Sequence, residues 1–318
     1  MSRSVRLWLA TALVLILAGC AGQVDLTKTV TPRTTVKASG AFNDEALRMV
    51  EPCGLFTDEL VSSIGKKKAT SAPNRQGYSE CAMPITDTET GKQTINLTVK
   101  IGVDLLAAPK TTGKTIRGLG VYETRGSASC TQSAIIERDP EQGIVAQVYW
   151  DGGDMCAAAS KLIESVIKQL AGKPPVYQDT PGSLVKLEPC AALDDTTVRN
   201  ILAEAGQKTP YGIRTCLYRG KAPYIEVEYS IGADPMSGNS SNNPVKIDLT
   251  DKVKGAAQYR ERIAPNKCVV EWVHRALSGN RNENVRVAFE RSPAQPGEDP
   301  CAKAVDAAKA VAGTVAKS

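Results

Sequence analysis

Nine cysteines and one histidine are the side chains best suited to chemistry in this 318-residue chain. Cys20 stands apart, at the end of an N-terminal apolar run. The other eight fall into two sets of four, Cys53, Cys81, Cys130 and Cys156, then Cys190, Cys216, Cys268 and Cys301. No pair has Cys-x-x-Cys spacing, and a single imidazole cannot complete a zinc set, so metal and redox-active readings fail. A Ser-His-Asp triad would need His274, which lies in the apolar segment 269–274 beside Trp272 and reads as a strand-face residue. Thr112-Gly113-Lys114-Thr115 looks like the tail of a phosphate loop, but Ala108 stands where its first glycine belongs. Asp151-Gly152-Gly153-Asp154 lacks the ligand series of a calcium loop and reads as a turn. Gly118-Leu119-Gly120 is too short for a dinucleotide fingerprint. The expectation is a protein without catalytic residues, metal or cofactor.

What the cysteines do offer is structure. An even set of eight implies four disulfides in an exported protein. Four cysteines per set allow three pairings, of which the sequential one is favoured: Cys53–Cys81, Cys130–Cys156, Cys190–Cys216 and Cys268–Cys301. Each bond would then tie a terminal helix to a nearby strand. Export is written at the N-terminus, where Arg3 and Arg6 precede an apolar stretch from Leu7 to Leu17. That stretch is too short to span a bilayer of roughly 30 Å as a helix, and its flanks are those of a cleaved signal peptide, residues 1–19. Leu17-Ala18-Gly19-Cys20 resembles the lipobox of bacterial lipoproteins. The resemblance implies cleavage before Cys20, a diacylglycerol on its thiol, acyl chains such as palmitate, and a place on the extracytoplasmic face of the cell membrane. Residues 20–41, rich in threonine, read as a lipidated flexible tether with an r.m.s. reach of about 25 Å.

The two sets of cysteines mark a duplication. Glu51-Pro52-Cys53 recurs as Glu188-Pro189-Cys190. Thr57 and Asp194, four residues after each cysteine, are helix N-cap types, and Gly65 and Gly206 are of the type found past helix ends. That spacing makes the second helix longer by about a turn. Ile95, Leu97, Val99 and Ile101 alternate as Ile225, Val227, Tyr229 and Ile231 do, the mark of strands buried on one face, with Gly102 and Gly232 closing each run. Further apolar stretches, 134–136 and 269–273, precede alternating strands at 144–150 and 285–289. A helix follows each fourth cysteine, with Leu162, Ile163, Val166, Ile167 and Leu170 as one stripe and Val305, Ala308 and Val311 as a thinner one. The expected architecture is α+β: two repeated modules, 42–172 and 187–318, each an antiparallel meander with helices on one face, joined by a Pro/Gly-rich linker at 173–186.

The leader, the Glu-Pro-Cys start of a capped helix and the spacing of the later cysteines resemble an actinobacterial lipoprotein family, domain-of-unknown-function family 3558. More distantly they resemble the extracellular sensor domains of mycobacterial serine/threonine kinases. Two copies in tandem depart from the single domain usual in that family. The resemblance implies an envelope location and a sensing or binding role, and it brings no catalytic residues.

Charge excludes some partners. Without Arg3 and Arg6, 37 basic residues face 34 acidic ones, and Lys66-Lys67-Lys68 is the one basic triplet, so no nucleic-acid footprint is present. One polar motif recurs, a basic residue, glycine, and a tyrosine four residues on: Arg117 with Tyr122, and Lys254 with Tyr259. It reads either as local packing or as a recognition surface. The function expected is a lipid-anchored binding or sensor protein for an envelope protein or cell-wall ligand, the alternative a lipid or glycolipid carrier. Replacing Cys20→Ala should leave the chain unacylated and uncut before residue 20, which mass spectrometry of the N-terminus reads directly. An acylated C20A protein would refute the anchor.

Overall fold

The computed structural model describes residues 40–68, 71–88, 91–105, 110–137, 141–178, 180–237 and 242–317. The signal peptide, Cys20 and all but the last two residues of the tether lie outside them. Each copy starts as its caps dictate. After the short helix α1 (Asp44–Arg48), Glu51-Pro52-Cys53 opens a 3-10 turn, Pro52–Leu55, in which the Glu51 carboxylate accepts from the backbone N–H groups of Cys53 and Gly54. Proline fits the first position because its fixed φ is already helical and its missing N–H is not needed there. Thr57 then caps α2 (Asp58–Ile64) through a 3.2 Å bond from the Leu60 N–H. Strands β1 (Asn74–Arg75), β2 (Glu80–Thr86), β3 (Thr94–Asp104), β4 (Lys110–Ile116), β5 (Leu119–Arg125), β6 (Ser129–Glu137) and β7 (Gln142–Tyr149) follow, and α3 (Met155–Ala171) closes the copy.

The second copy repeats this series. Its elements are α4 (Asp195–Leu202), β8 (Gln207–Pro210), β9 (Thr215–Arg219), β10 (Pro223–Gly232), β11 (Val245–Ile247), β12 (Ala256–Glu261), β13 (Ala264–Ala276), β14 (Asn282–Arg291) and α5 (Pro300–Val315). The sheets are ordered β1-β2-β3-β7-β6-β5-β4 and β8-β9-β10-β14-β13-β12-β11, one topology used twice, and every pairing is antiparallel. The α+β class is as expected, but the sheets are not simple meanders. After its third strand the chain crosses to the far edge and works back, so the first and last long strands meet in the middle.

The helices cover one face of each sheet. In the first copy Leu162, Ile163, Val166, Ile167 and Leu170 are fully buried, the helix lying over β6 and β7. In the second copy the helix offers mostly alanine, Ala304, Ala307 and Ala308 with Val311, and the sheet makes up the volume with Tyr218, Tyr229, Trp272 and Phe289. Small residues on the helix leave room for large ones on the sheet, the kind of compensating exchange that cores tolerate.

Two local expectations change. Helix α4 ends at Leu202, with Ala203 in the left-handed region at φ 60°, so Gly206 is not its terminal glycine and α4 exceeds α2 by one residue, not a turn. The strand correspondence also shifts. Cys81 faces Val99, and Cys216 faces Val227, so Leu97 and not Ile95 is the counterpart of Ile225. A slip of two residues keeps every side chain on its face, which is why alternation alone did not reveal it.

The four disulfides pair sequentially, Cys53–Cys81, Cys130–Cys156, Cys190–Cys216 and Cys268–Cys301, with Cα separations of 5.0–5.2 Å. Each staples a helix or helical turn to a strand of its own copy. Closing loops of this length contributes on the order of 3–4 kcal/mol per bond by restricting the unfolded chain. Replacing Cys268 and Cys301 together by alanine should therefore lower stability by about 3 kcal/mol in urea unfolding. A change below about 1 kcal/mol would show that this bond does not constrain the unfolded ensemble.

Candidate functional site

Both copies belong to one compact unit, and a matched pair of loops locks them together. Counted back from Cys81 and Cys216, Gly77-Tyr78 and Gly212-Ile213 are equivalent. Tyr78 leaves its own copy and is buried in the core of the second, while Ile213 is buried in the core of the first. The Ile213 N–H donates to the Gly102 carbonyl at 2.8 Å, and a Cβ on Gly102 would lie 2.6 Å from the Ile213 side chain. Gly102 also has φ 60°, so both its backbone angle and its missing side chain are used. Arg214 finishes the lock. Its Nη1 donates to the Val185 carbonyl at 2.7 Å and its Nη2 to the Arg48 carbonyl, and its guanidinium lies 4.5 Å from the Tyr78 ring centroid. Burial lowers the Arg214 pKa to about 10, which still leaves it charged at neutral pH.

The linker takes part rather than standing clear. Its Tyr177 N–H donates to the Met49 carbonyl and its hydroxyl to the Tyr78 carbonyl, both at 2.8 Å. The Tyr177 ring meets Tyr78 edge-on at 5.9 Å, and Arg75 sits 5.1 Å above it.

This docking leaves a groove of about 720 Å³ between the uncovered face of the first sheet and the 211–214 loop of the second copy. A second concavity of about 460 Å³ continues from it along Tyr211, Thr215 and Glu228. Volumes of this size suit small or chain-like ligands. The alternation of the strands places the lining. Cross-strand rows run Thr98–Gln147–Thr131–Thr124 and Glu80–Lys100–Val145–Ser133–Tyr122 across the sheet, on the face opposite the helices. Lys100 and Glu80 pair at 3.2 Å, so that row carries no free charge. At the groove end Asp104 has its carboxyl held above the ordinary range by burial, partly offset by the Tyr211 hydroxyl.

The equivalent face of the second sheet is ionic. There the rows read Glu226–Ala288–Val269–Tyr259 and Thr215–Glu228–Arg286–Glu271–Ala257. Arg286 bonds Glu226, and Glu261 at 2.6 Å, while Lys267 pairs with Glu226 at 3.1 Å. Burial opposes charge on Arg286, yet the negative charges of Glu226 and Glu228 outweigh it and hold the guanidinium protonated above its usual range. Burial pushes the Glu271 carboxyl up.

The four residues expected to form a recognition surface do not converge. Arg117 is exposed in the two-residue turn between β4 and β5, at φ 50°, and Tyr122 lies in the groove-side row but not among the groove's lining residues. Lys254 is exposed, 3.7 Å from Asp248, beside a separate concavity. Tyr259 is half-buried, its hydroxyl 3.4 Å from Glu271. In the disulfide-anchored register Tyr122 corresponds to Ala257 and Tyr259 to Thr124, so the tyrosines share a face but not a position. His274 is hydrogen-bonded at 2.8 Å to the Gly182 carbonyl. Asp154 caps α3 through the Cys156 and Ala157 N–H groups, and Lys114 bonds Glu164 and Ser160 on that helix. Among the described residues the one grouping with metal-ligand geometry is Glu123 with Cys130 and Cys156, whose sulfurs are bonded to each other.

No family model matches the chain, and no curated protein does. The resemblance to domain-of-unknown-function family 3558 therefore rests on its motifs alone. Solved structures with a faint likeness include the di-domain ARO/CYC StfQ from the steffimycin biosynthetic pathway, 11% identical over 85% of this chain and 91% of that one, with a TM-score of 0.14. The di-domain ARO/CYC BexL from the BE-7585A biosynthetic pathway is 7% identical over 78% and 84%, with a TM-score of 0.12. Likenesses this low carry no argument about fold or function.

If Gly102 seats Ile213, Gly102→Val should loosen the two copies without unfolding either. Hydrogen exchange at the Ile213 amide should then rise sharply while the amides of β6 and β13 stay protected. Unchanged protection at Ile213 would refute the seating.

Proposed function

We propose that this chain is a lipid-anchored protein of the extracytoplasmic membrane face whose two modules jointly hold a ligand, without chemistry, in the groove between them. The observation that carries the reading is the groove itself: both copies build it, and its walls present hydrogen-bonding side chains not committed to the protein. Four intra-module disulfides favour an oxidising compartment, and Leu17-Ala18-Gly19-Cys20 supplies the anchor. The family resemblance points the same way. The non-catalytic part is supported by His274, which is engaged with a carbonyl and absent from the groove lining.

The carrier reading finds less support. The helix-covered face of each sheet is filled by residues with almost no exposure, which leaves no room for acyl chains there. The groove has apolar patches at Val103, Leu105, Val145 and Ile213, but charges and hydroxyls interrupt them.

The test places a photoreactive residue in the acylated full chain, in its own envelope, at Thr124 in the groove or at Lys309 on α5, both exposed. A discrete envelope component should be captured from position 124 and not from position 309. No adduct at 124, or the same adducts at both, would overturn the reading.

A further inference from the structure

We propose that the first copy's wall of the groove takes a neutral, polyhydroxylated glycan segment, a reading that rests on the groove's being the ligand site. The wall holds polar groups that the protein leaves unused. Ser133 is only 5% exposed, lines the groove and has no side-chain partner among the described residues. The Ser79 hydroxyl, also in the lining, is buried without one. Thr124, Thr131 and Gln147 likewise make no side-chain hydrogen bond among the described residues. Native proteins pair nearly all buried polar groups, and one left alone costs about 1–3 kcal/mol, which is the case of the Ser79 hydroxyl, while the other side chains hold unused capacity at the groove surface. A partner rich in both donors and acceptors relieves that cost.

The remaining chemistry narrows the partner. Between the hydroxyls lie Val145, Val103 and Ile213, and a sugar ring offers C–H faces for such patches along with hydroxyls for the polar groups. Charge argues against anions. Lys100 is paired with Glu80, both Nη atoms of Arg214 are held by carbonyls, and Asp104 and Glu228 at the rim repel negative groups. A phosphorylated or carboxylated ligand therefore finds no cationic Nη or Nζ donor free to pair with it here. A peptide is disfavoured for a geometric reason. The groove floor is a sheet face, not an edge, so it has no free backbone N–H and C=O row with which an added strand could pair. The duplication supplies a contrast, because the same two rows in the second copy are built of Glu226, Glu228, Arg286 and Glu271, which bond to one another or to nearby groups. That face has spent its polar groups internally, and the first copy's has not.

The experiment uses the acylated full chain in detergent micelles. It is titrated calorimetrically with neutral tetrasaccharides of N-acetylglucosamine, mannose and galactose, with a tetragalacturonate as the anionic control and an uncharged decapeptide as the peptide control. At least one neutral tetrasaccharide should saturate a single site. Ser133→Ala and Gln147→Leu should each weaken it about tenfold, the worth of one hydrogen bond at the upper end of its range. Lys254→Ala, outside the groove, should leave it unchanged, and thermal melts confirm that each variant is folded. Saturation by none of the neutral sugars, equal affinity in S133A and Q147L, or tighter binding of the tetragalacturonate or the peptide would each overturn the proposal. If position 124 still captures an envelope component while no neutral sugar binds, the glycan assignment fails and the groove remains the ligand site.

Discussion

The reciprocal insertion of Tyr78 and Ile213 is the constraint on which the rest of this structure depends. Each copy places a buried side chain in the other's core, so docking adds to both cores. Arg214 makes that docking specific. A buried guanidinium is costly unless it is hydrogen-bonded, and here both Nη groups donate to carbonyls on the two sides of the interface, at Arg48 and Val185. Apolar burial alone would tolerate sliding between the copies. A planar cation bridging two carbonyls and lying over Tyr78 does not.

A gene-level duplication starts with two equivalent sheets, and a pseudo-twofold arrangement could have given two equivalent binding faces. The outer faces have instead diverged. In the first copy the face is short hydroxyls and an amide around one compensated ion pair. In the second it is a carboxylate-rich network organised by Arg286 and Lys267. Such a network is self-satisfying but rigid, and half-burial keeps Glu271 reluctant to ionise. The second face therefore behaves as a firm wall, while the first retains hydrogen-bonding capacity for something outside the protein.

Much of the fold was legible in the residues, because the signals were local or periodic. Proline and glutamate before Cys53, the Thr57 and Asp194 caps, and the Leu162–Leu170 stripe act within one turn of chain. The sequential disulfides follow from the order of helix and strand in each copy. Strand register was less legible. Period-two alternation fixes a face but not a position, so a two-residue slip placed Ile95 against Ile225 and joined Tyr122 to Tyr259. The disulfides, being point contacts, correct both. The groove was invisible for a different reason. Ser133, Gln147 and Thr131 are ordinary outward strand residues in the sequence, and they acquire meaning only because Ile213 brings a second copy over them. The one signal within reach was Gly102, a glycine inside an otherwise regular strand, which marks a close backbone approach.

The stapling and the docking lock bear on function through entropy rather than contacts. Thr124, Thr131, Ser133 and Gln147 project from strands of a disulfide-bonded sheet, not from loops, so little ordering remains to be done there when a ligand arrives. Threonine and serine suit that role because short side chains lose little rotamer freedom on binding, whereas lysine or arginine lose more. The same rigidity sets a limit, since a fixed wall cannot close over a ligand and seal it from water. Catalysis at this face would lack the water exclusion that makes groups such as Asp104 effective acids or bases. A stiff, open, hydroxyl-bearing wall is suited to holding a chain-like partner laid across it.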